Sequence, residues 1–218
     1  MKIFKAIVML GAVAILTVAC TGTDDVPAEI RALAELDRGV EMQEVGNLQK
    51  AQEAYDAAVR LDPQLAEGYA RKGYVRIQYS DMNGALEQIN RALNIDTELA
   101  IAYNYRGLIM ASANNIDGAL LDFAEAIRLD PTLVEAYLNR GRLFIEEEEL
   151  ESALTDLDSA VELEPMSPNL FLNRGRIHVL VGNLDRATAD LEQVLALTQE
   201  EVYVVTAKDP LAFIQETA

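Results

Sequence analysis

The sequence predicts an all-α fold, a solenoid of helix–turn–helix units, and three observations carry that expectation. The chain of 218 residues matches itself when shifted by 34. Counting from Ala32 as position 1, a Gly stands at position 8 of every unit (Gly39, Gly73, Gly107, Gly141, Gly175) and an Ala at position 20 (Ala51, Ala85, Ala119, Ala153, Ala187). Apolar residues recur at helical spacing, as in Ala119, Leu120, Phe123, Ala126 and Ile127, and no strand-like alternation competes with them.

Taken in chain order, the first element is a leader. Residues 1–19 place Lys2 and Lys5 ahead of an apolar stretch from Ala6 to Ala19, shorter than the roughly 20 apolar residues a spanning helix needs. Its end, Thr17-Val18-Ala19-Cys20, resembles a bacterial lipoprotein signal, in which the Cys is lipidated and becomes the new N-terminus. Val18, Ala19 and Cys20 match the pattern, while Thr17 stands where Leu is common. An ordinary secretory signal is the alternative. Lipid methylenes contribute about 0.8 kcal/mol each on burial, so a multiply acylated Cys20 anchors without a spanning helix. Residues 20–31 then form a short tether, in which Asp25 and Pro27 read as a helix start.

Five units follow, at 32–65, 66–99, 100–133, 134–167 and 168–201. A Gly inside a helix costs about 1 kcal/mol relative to Ala, so five in register require close backbone approach. The expected contact is Gly at position 8 against Ala at position 20, with the position 4 ring (Tyr69, Tyr103, Tyr137, Phe171) filling the space beside them. Position 27 is small, from Ala58 to Ala160, with Val194 in the last unit. Turns are expected at Gly46-Asn47, Ser80-Asp81, Asn114-Asn115, Glu148-Glu149 and Gly182-Asn183. Pro63, Pro131 and Pro165 close the second helices. Residues 202–218 break the Gly lattice with Asp209; Asp209-Pro210 is expected to open a short cap carrying Leu211, Phe213 and Ile214 over the last apolar face.

The 34-residue unit with Gly, Ala, ring and Pro at these offsets resembles the tetratricopeptide (TPR) repeat. The resemblance implies a right-handed superhelix whose first helices line a concave groove with positions 2, 5, 9, 12 and 13. At and beside those positions the candidate binding residues are Leu36, Val40, Tyr74, Asn104, Leu108, Asn139, Arg142, Asn173 and Arg176. Half of the groove is apolar, which suits a peptide or partner helix. Arg142 and Arg176 hold the same position in adjacent units and offer two guanidinium groups to an acidic ligand, or else Arg142 pairs with Glu146 one turn on. TPR proteins that clamp chaperone tails carry Lys and Asn where this chain has Leu36 and Val40, so that activity is not implied. The basic column Arg38, Lys72, Arg106, Arg140 and Arg174 is expected to pair with acids of neighbouring helices. His178 is expected to be packed or half-exposed, and the Glu146–Glu149 run to be a solvated corner.

Composition narrows the function classes. With 18 Lys and Arg against 36 Asp and Glu, the formal charge is −18, a poor match for a phosphate backbone, so no nucleic-acid partner is expected. One Cys and one His leave no conventional metal ligand set, and no nucleophile–base pair is identifiable; neither cofactor, metal nor catalytic residue is expected. The expectation is a non-enzymatic scaffold in a bacterial envelope, held to the membrane by lipid and binding a protein or peptide. Self-association through the solenoid ends is the structural alternative, with an enzyme the remote one.

Overall fold

The computed structural model describes residues 26–203 and 205–208. The leader, Cys20 and the cap residues Asp209, Pro210, Leu211, Phe213 and Ile214 lie outside the described residues. Among those described, the regular elements are all helices: α1 (Ala28–Glu44), α2 (Leu48–Leu61), α3 (Ala66–Gln78), α4 (Met82–Ile95), α5 (Ala100–Ser112), α6 (Ile116–Leu129), α7 (Val134–Glu146), α8 (Leu150–Leu163), α9 (Pro168–Leu180) and α10 (Leu184–Leu197). Helical residues 201–203 and 205–208 follow. Each odd-numbered helix packs chiefly on the even one after it. The all-α fold of TPR type is thus the observed one. α1 begins at Ala28, a turn ahead of the lattice, with Pro27 as its cap residue.

One turn design joins every pair. Position 15 takes the left-handed backbone conformation each time, at Gly46, Ser80, Asn114, Glu148 and Gly182. The next residue's N–H reaches back to the carbonyl of position 11, at 2.8 Å from Asn47 to Met42 and 2.8 Å from Glu149 to Phe144. This satisfies a carbonyl that the helix end leaves open. Asn47, Asp81 and Asn115 then cap the following helix by accepting from the N–H of Lys50, Gly84 and Gly118. All four residues of the acidic run, Glu146 to Glu149, are exposed.

The backbone of the position 20 Ala does approach the Gly column, with Ala85 O 3.2 Å from a Cβ placed on Gly73 and Ala153 O 3.6 Å from one on Gly141, but the main side-chain partner is one the sequence did not suggest. A Cβ on Gly107 would lie 2.7 Å from the ring of Phe123, and one on Gly73 2.5 Å from the side chain of Ile89. Gly39 meets the ring of Tyr55 in the same way. These partners stand at position 24, one turn beyond Ala at position 20. Crossing helices bring that large side chain over the Gly, so the Gly admits a ring or a branched aliphatic side chain beside the Ala backbone. Ala51, Ala85, Ala119, Ala153 and Ala187 are fully buried and contribute closeness of backbone. At position 4, Tyr69 and Phe171 are buried but Tyr103 and Tyr137 only half so.

The chain divides into two compact units after Thr97. In the first, Leu36, Ala51, Tyr55, Ala58 and Val75 form a core that Val40, Met42, Leu48 and Leu65 cover. In the second, Ala119, Phe123 and Leu143 form one cluster. A larger one runs from Val134, Ala160 and Val161 through Leu170, Phe171 and Leu172 to Leu191, Val194 and Ala207.

Candidate functional site

The candidate residues sit on the first helix of each repeat and are not equally accessible. In the first compact unit, Leu36 is 5% exposed and belongs to the core, while Val40 and Tyr74 are half-buried. In the second, Asn104 is 1% exposed. Leu108, Asn139 and Asn173 are half-buried, whereas Arg142 and Arg176 are exposed. Leu36 and Asn104 are therefore corrected from groove-lining residues to packing residues. Position 5 lies where the next repeat covers it: Asn139 donates through Nδ2 to Oδ1 of Asn104 at 2.9 Å, tying α7 to α5. Asn173 makes a longer bond, 3.4 Å, to Asn169 on its own helix.

The basic column at position 7 is consumed by ion pairs. Arg106 grips Asp122 with two bonds of 2.8 and 2.7 Å. Arg140 grips Asp156 at 2.9 and 2.7 Å. Arg174 grips Asp190 at 2.9 and 2.7 Å, and adds Asp158 at 2.8 Å. In each case the hydrogen bond to the aspartate raises the guanidinium above its ordinary value, with burial opposing. Lys72 reaches Asp56 at 2.7 Å, and Arg38 only Glu35 on its own helix. Three of these bases also lie over position 4 rings, with Arg106 5.1 Å from the centre of Tyr103 and Arg174 5.6 Å from that of Phe171. Lys72 is 5.9 Å from Tyr69. These groups hold the fold and offer little to a ligand.

Sequence reading foresaw acid partners for this column without naming them. The signal was available: an Asp stands 16 residues after the position 7 Arg in the last three units, whereas Ala54 and Gln88 fill that place in the first two.

Arg142 and Arg176 differ from that column. Among the described residues neither takes part in a salt bridge, and the pairing of Arg142 with Glu146 does not form. Two guanidinium groups without acid partners thus stand one repeat apart, on α7 and α9, with an Asn one turn before each. Such groups bind carboxylates through paired N–H bonds. Among the described residues no three His, Cys, Asp or Glu are grouped to hold a metal, and no helix is long and apolar enough to cross a membrane.

Tetratricopeptide-repeat family models match residues 39–65 and 138–201. No curated protein matches the sequence. Among solved structures, the thermophilic TPR protein TTC0263 of Thermus thermophilus is 20% identical and superposes with a TM-score of 0.71, covering 83% of this chain and 99% of that one. Pseudomonas aeruginosa pilF is 17% identical with a TM-score of 0.68, covering 86% and 90%. YrrB, described as a TPR protein with an unusual peptide-binding site, is 22% identical with a TM-score of 0.54, covering 82% and 92%. At these identities the likeness is one of fold.

Proposed function

The chain is a tetratricopeptide repeat protein, and from that premise we propose that it is a non-enzymatic binding scaffold, anchored by lipid at Cys20 in a bacterial envelope, that captures an acidic peptide or protein segment. Stacked repeats of this kind bury their own apolar faces against one another and leave an extended surface for partners. The observation that carries the reading is the pair Arg142 and Arg176, without a salt bridge among the described residues of a protein in which the position 7 bases are all matched to acids. Half-buried Leu108, Asn139 and Asn173 supply apolar contact and amide bonds on the same set of helices. YrrB's peptide-binding site supports the analogy of mode.

The test is the double charge reversal Arg142→Glu and Arg176→Glu, read by crosslinking in the native envelope. Neither side chain belongs to the core, so far-UV circular dichroism should be unchanged. Loss of a captured acidic partner supports the scaffold; loss of oligomer mass instead supports self-association through the repeat ends. Retention of all crosslinks overturns the groove assignment. The anchor is tested separately: Cys20→Ser should release the protein to the soluble fraction, and continued membrane retention would sink the lipid reading.

A further inference from the structure

The last repeat carries a second feature, away from the groove positions. α8, α9 and α10 border an open cleft of about 280 Å³ lined by Asp158, Arg174, His178, Arg186, Ala189 and Asp190. His178 is the single histidine of the chain and is 3% exposed, and its buried Nδ1 has no hydrogen-bond partner among the described residues. Buried polar atoms are as a rule hydrogen-bonded, so an imidazole nitrogen left open beside a cleft points to something that enters it. The lattice sets this repeat apart. Position 11 is Met42, Arg76, Met110 and Phe144 elsewhere, and position 19 is Lys50, Gly84, Gly118 and Ser152. The fifth repeat alone brings an imidazole and a guanidinium, that of Arg186, to those two places.

The charges select the ligand. Arg174 is engaged by Asp190 through Nε and one terminal nitrogen, and by Asp158 through the other. Arg186 is exposed and makes no salt bridge among the described residues. Two acids against two guanidinium groups leave the cleft neutral while His178 is neutral, and positive once it takes a proton. We propose that this cleft binds a small oxyanion, a carboxylate or phosphate group, between Arg186 and a protonated His178, the proton being taken up from solvent as the anion enters. Burial lowers His178 from the ordinary histidine value; Asp190 on α10 opposes that, Arg174 and Arg186 reinforce it, and Asp158 on α8 opposes it again. On balance these influences favour the neutral ring. An anion within contact distance reverses the balance, so binding and protonation strengthen each other.

A lone histidine makes the test direct. The ring signals of His178 are followed by NMR across pH in the full chain without added histidines, in acetate, in inorganic phosphate and in chloride at matched ionic strength. Acetate, phosphate or both should raise the titration midpoint by about 1 pH unit or more relative to chloride. A rise in acetate alone assigns a carboxylate, and a rise in phosphate alone a phosphoryl group. Arg186→Gln, at an exposed position and with helicity checked by circular dichroism, should abolish the rise. The Arg142→Glu and Arg176→Glu pair should leave it intact, which separates this cleft from the groove. The same midpoint in all three salts, a rise of equal size in the Arg186→Gln variant, or loss of the rise on groove charge reversal would each overturn the proposal.

Discussion

The first two repeats and the last three share one lattice of small residues but are held in different ways. In the first two, position 23 is Ala54 and Gln88, and the position 7 bases settle for Glu35 on the same helix or for Asp56, whose side chain is 40% exposed. In the last three, Asp122, Asp156 and Asp190 lie under the guanidinium groups with side-chain exposures of 10%, 2% and 7%. Exposed pairs contribute about 0–1 kcal/mol. Removing one partner of a buried pair costs about 3–5 kcal/mol, because the other charge is stranded. The repeat fold itself requires only complementary volume. The buried pairs add a fixed crossing of the two helices, and they do so in the same compact unit that carries both Arg142 and Arg176.

The largest effect should come from breaking a clamp. Asp156→Ala leaves Arg140 without its carboxylate in a setting where that carboxylate is almost fully covered, and should cost about 3 kcal/mol in urea unfolding. Gln88→Ala, at the equivalent place in the second repeat, should cost about 0.5 kcal/mol or less. Replacing both members, Arg140→Met with Asp156→Leu, should recover most of the loss, since a well-packed apolar pair often matches a buried ion pair. If Asp156→Ala and Gln88→Ala cost the same, the two halves do not differ in the way described.

A smaller effect sharpens the comparison within the Gly column. Gly107→Leu drives a side chain into the ring of Phe123, which a Cβ alone would approach to 2.7 Å, and should cost about 1–3 kcal/mol. Gly141 is different: a Cβ there meets Asp156 Cβ at 3.5 Å, ordinary contact. Gly141→Ala should therefore stabilise by about 0.5–1 kcal/mol, the backbone freedom that Gly loses on folding. Thermal unfolding of the two variants checks the sign at each position. A destabilising Gly141→Ala would mean that the helices approach more closely in the fourth repeat than described.

Much of this was open to reading in the chain. The Gly at position 8 and the Ala at position 20 recur in all five units, and a periodic search finds whatever is invariant. The same search overlooks what varies. Position 24 is Tyr55, Ile89, Phe123, Leu157 and Leu191, a column defined by size and not by identity, so the main side-chain partner of the Gly was hidden. The aspartates of position 23 appear in only three units and were missed for the same reason. In the candidate site, helical register groups Arg142 with Arg176 at equivalent positions of adjacent units. It did not reveal that Leu36 and Asn104 are covered, because register tells which way a residue faces and not where a neighbouring helix sits.

The smallest effect concerns an acid of the first compact unit that has no clamp. The Asp37 carboxyl is raised above its ordinary value by burial first, then by Glu67 and Glu41, with Arg71 opposing. Arg71 is itself bonded to Glu67 at 2.7 Å, which leaves Asp37 facing acids with their base already engaged. A carboxyl raised on folding contributes stability that is present in acid, where it is protonated in both states, and lost as pH rises through its folded value. Asp37→Asn should therefore unfold at higher temperature than the natural chain at pH 7. The two should converge as pH falls below the ordinary carboxylate range, since both then carry an uncharged side chain at position 37. Asp156→Asn should behave oppositely at neutral pH, lowering the melting temperature, because its carboxylate is stabilised by Arg140. Melting curves of the three proteins at pH 7 and at a pH below the ordinary carboxylate range set the clamped acid against the unclamped one. Equal shifts in one direction would erase the electrostatic contrast between the halves.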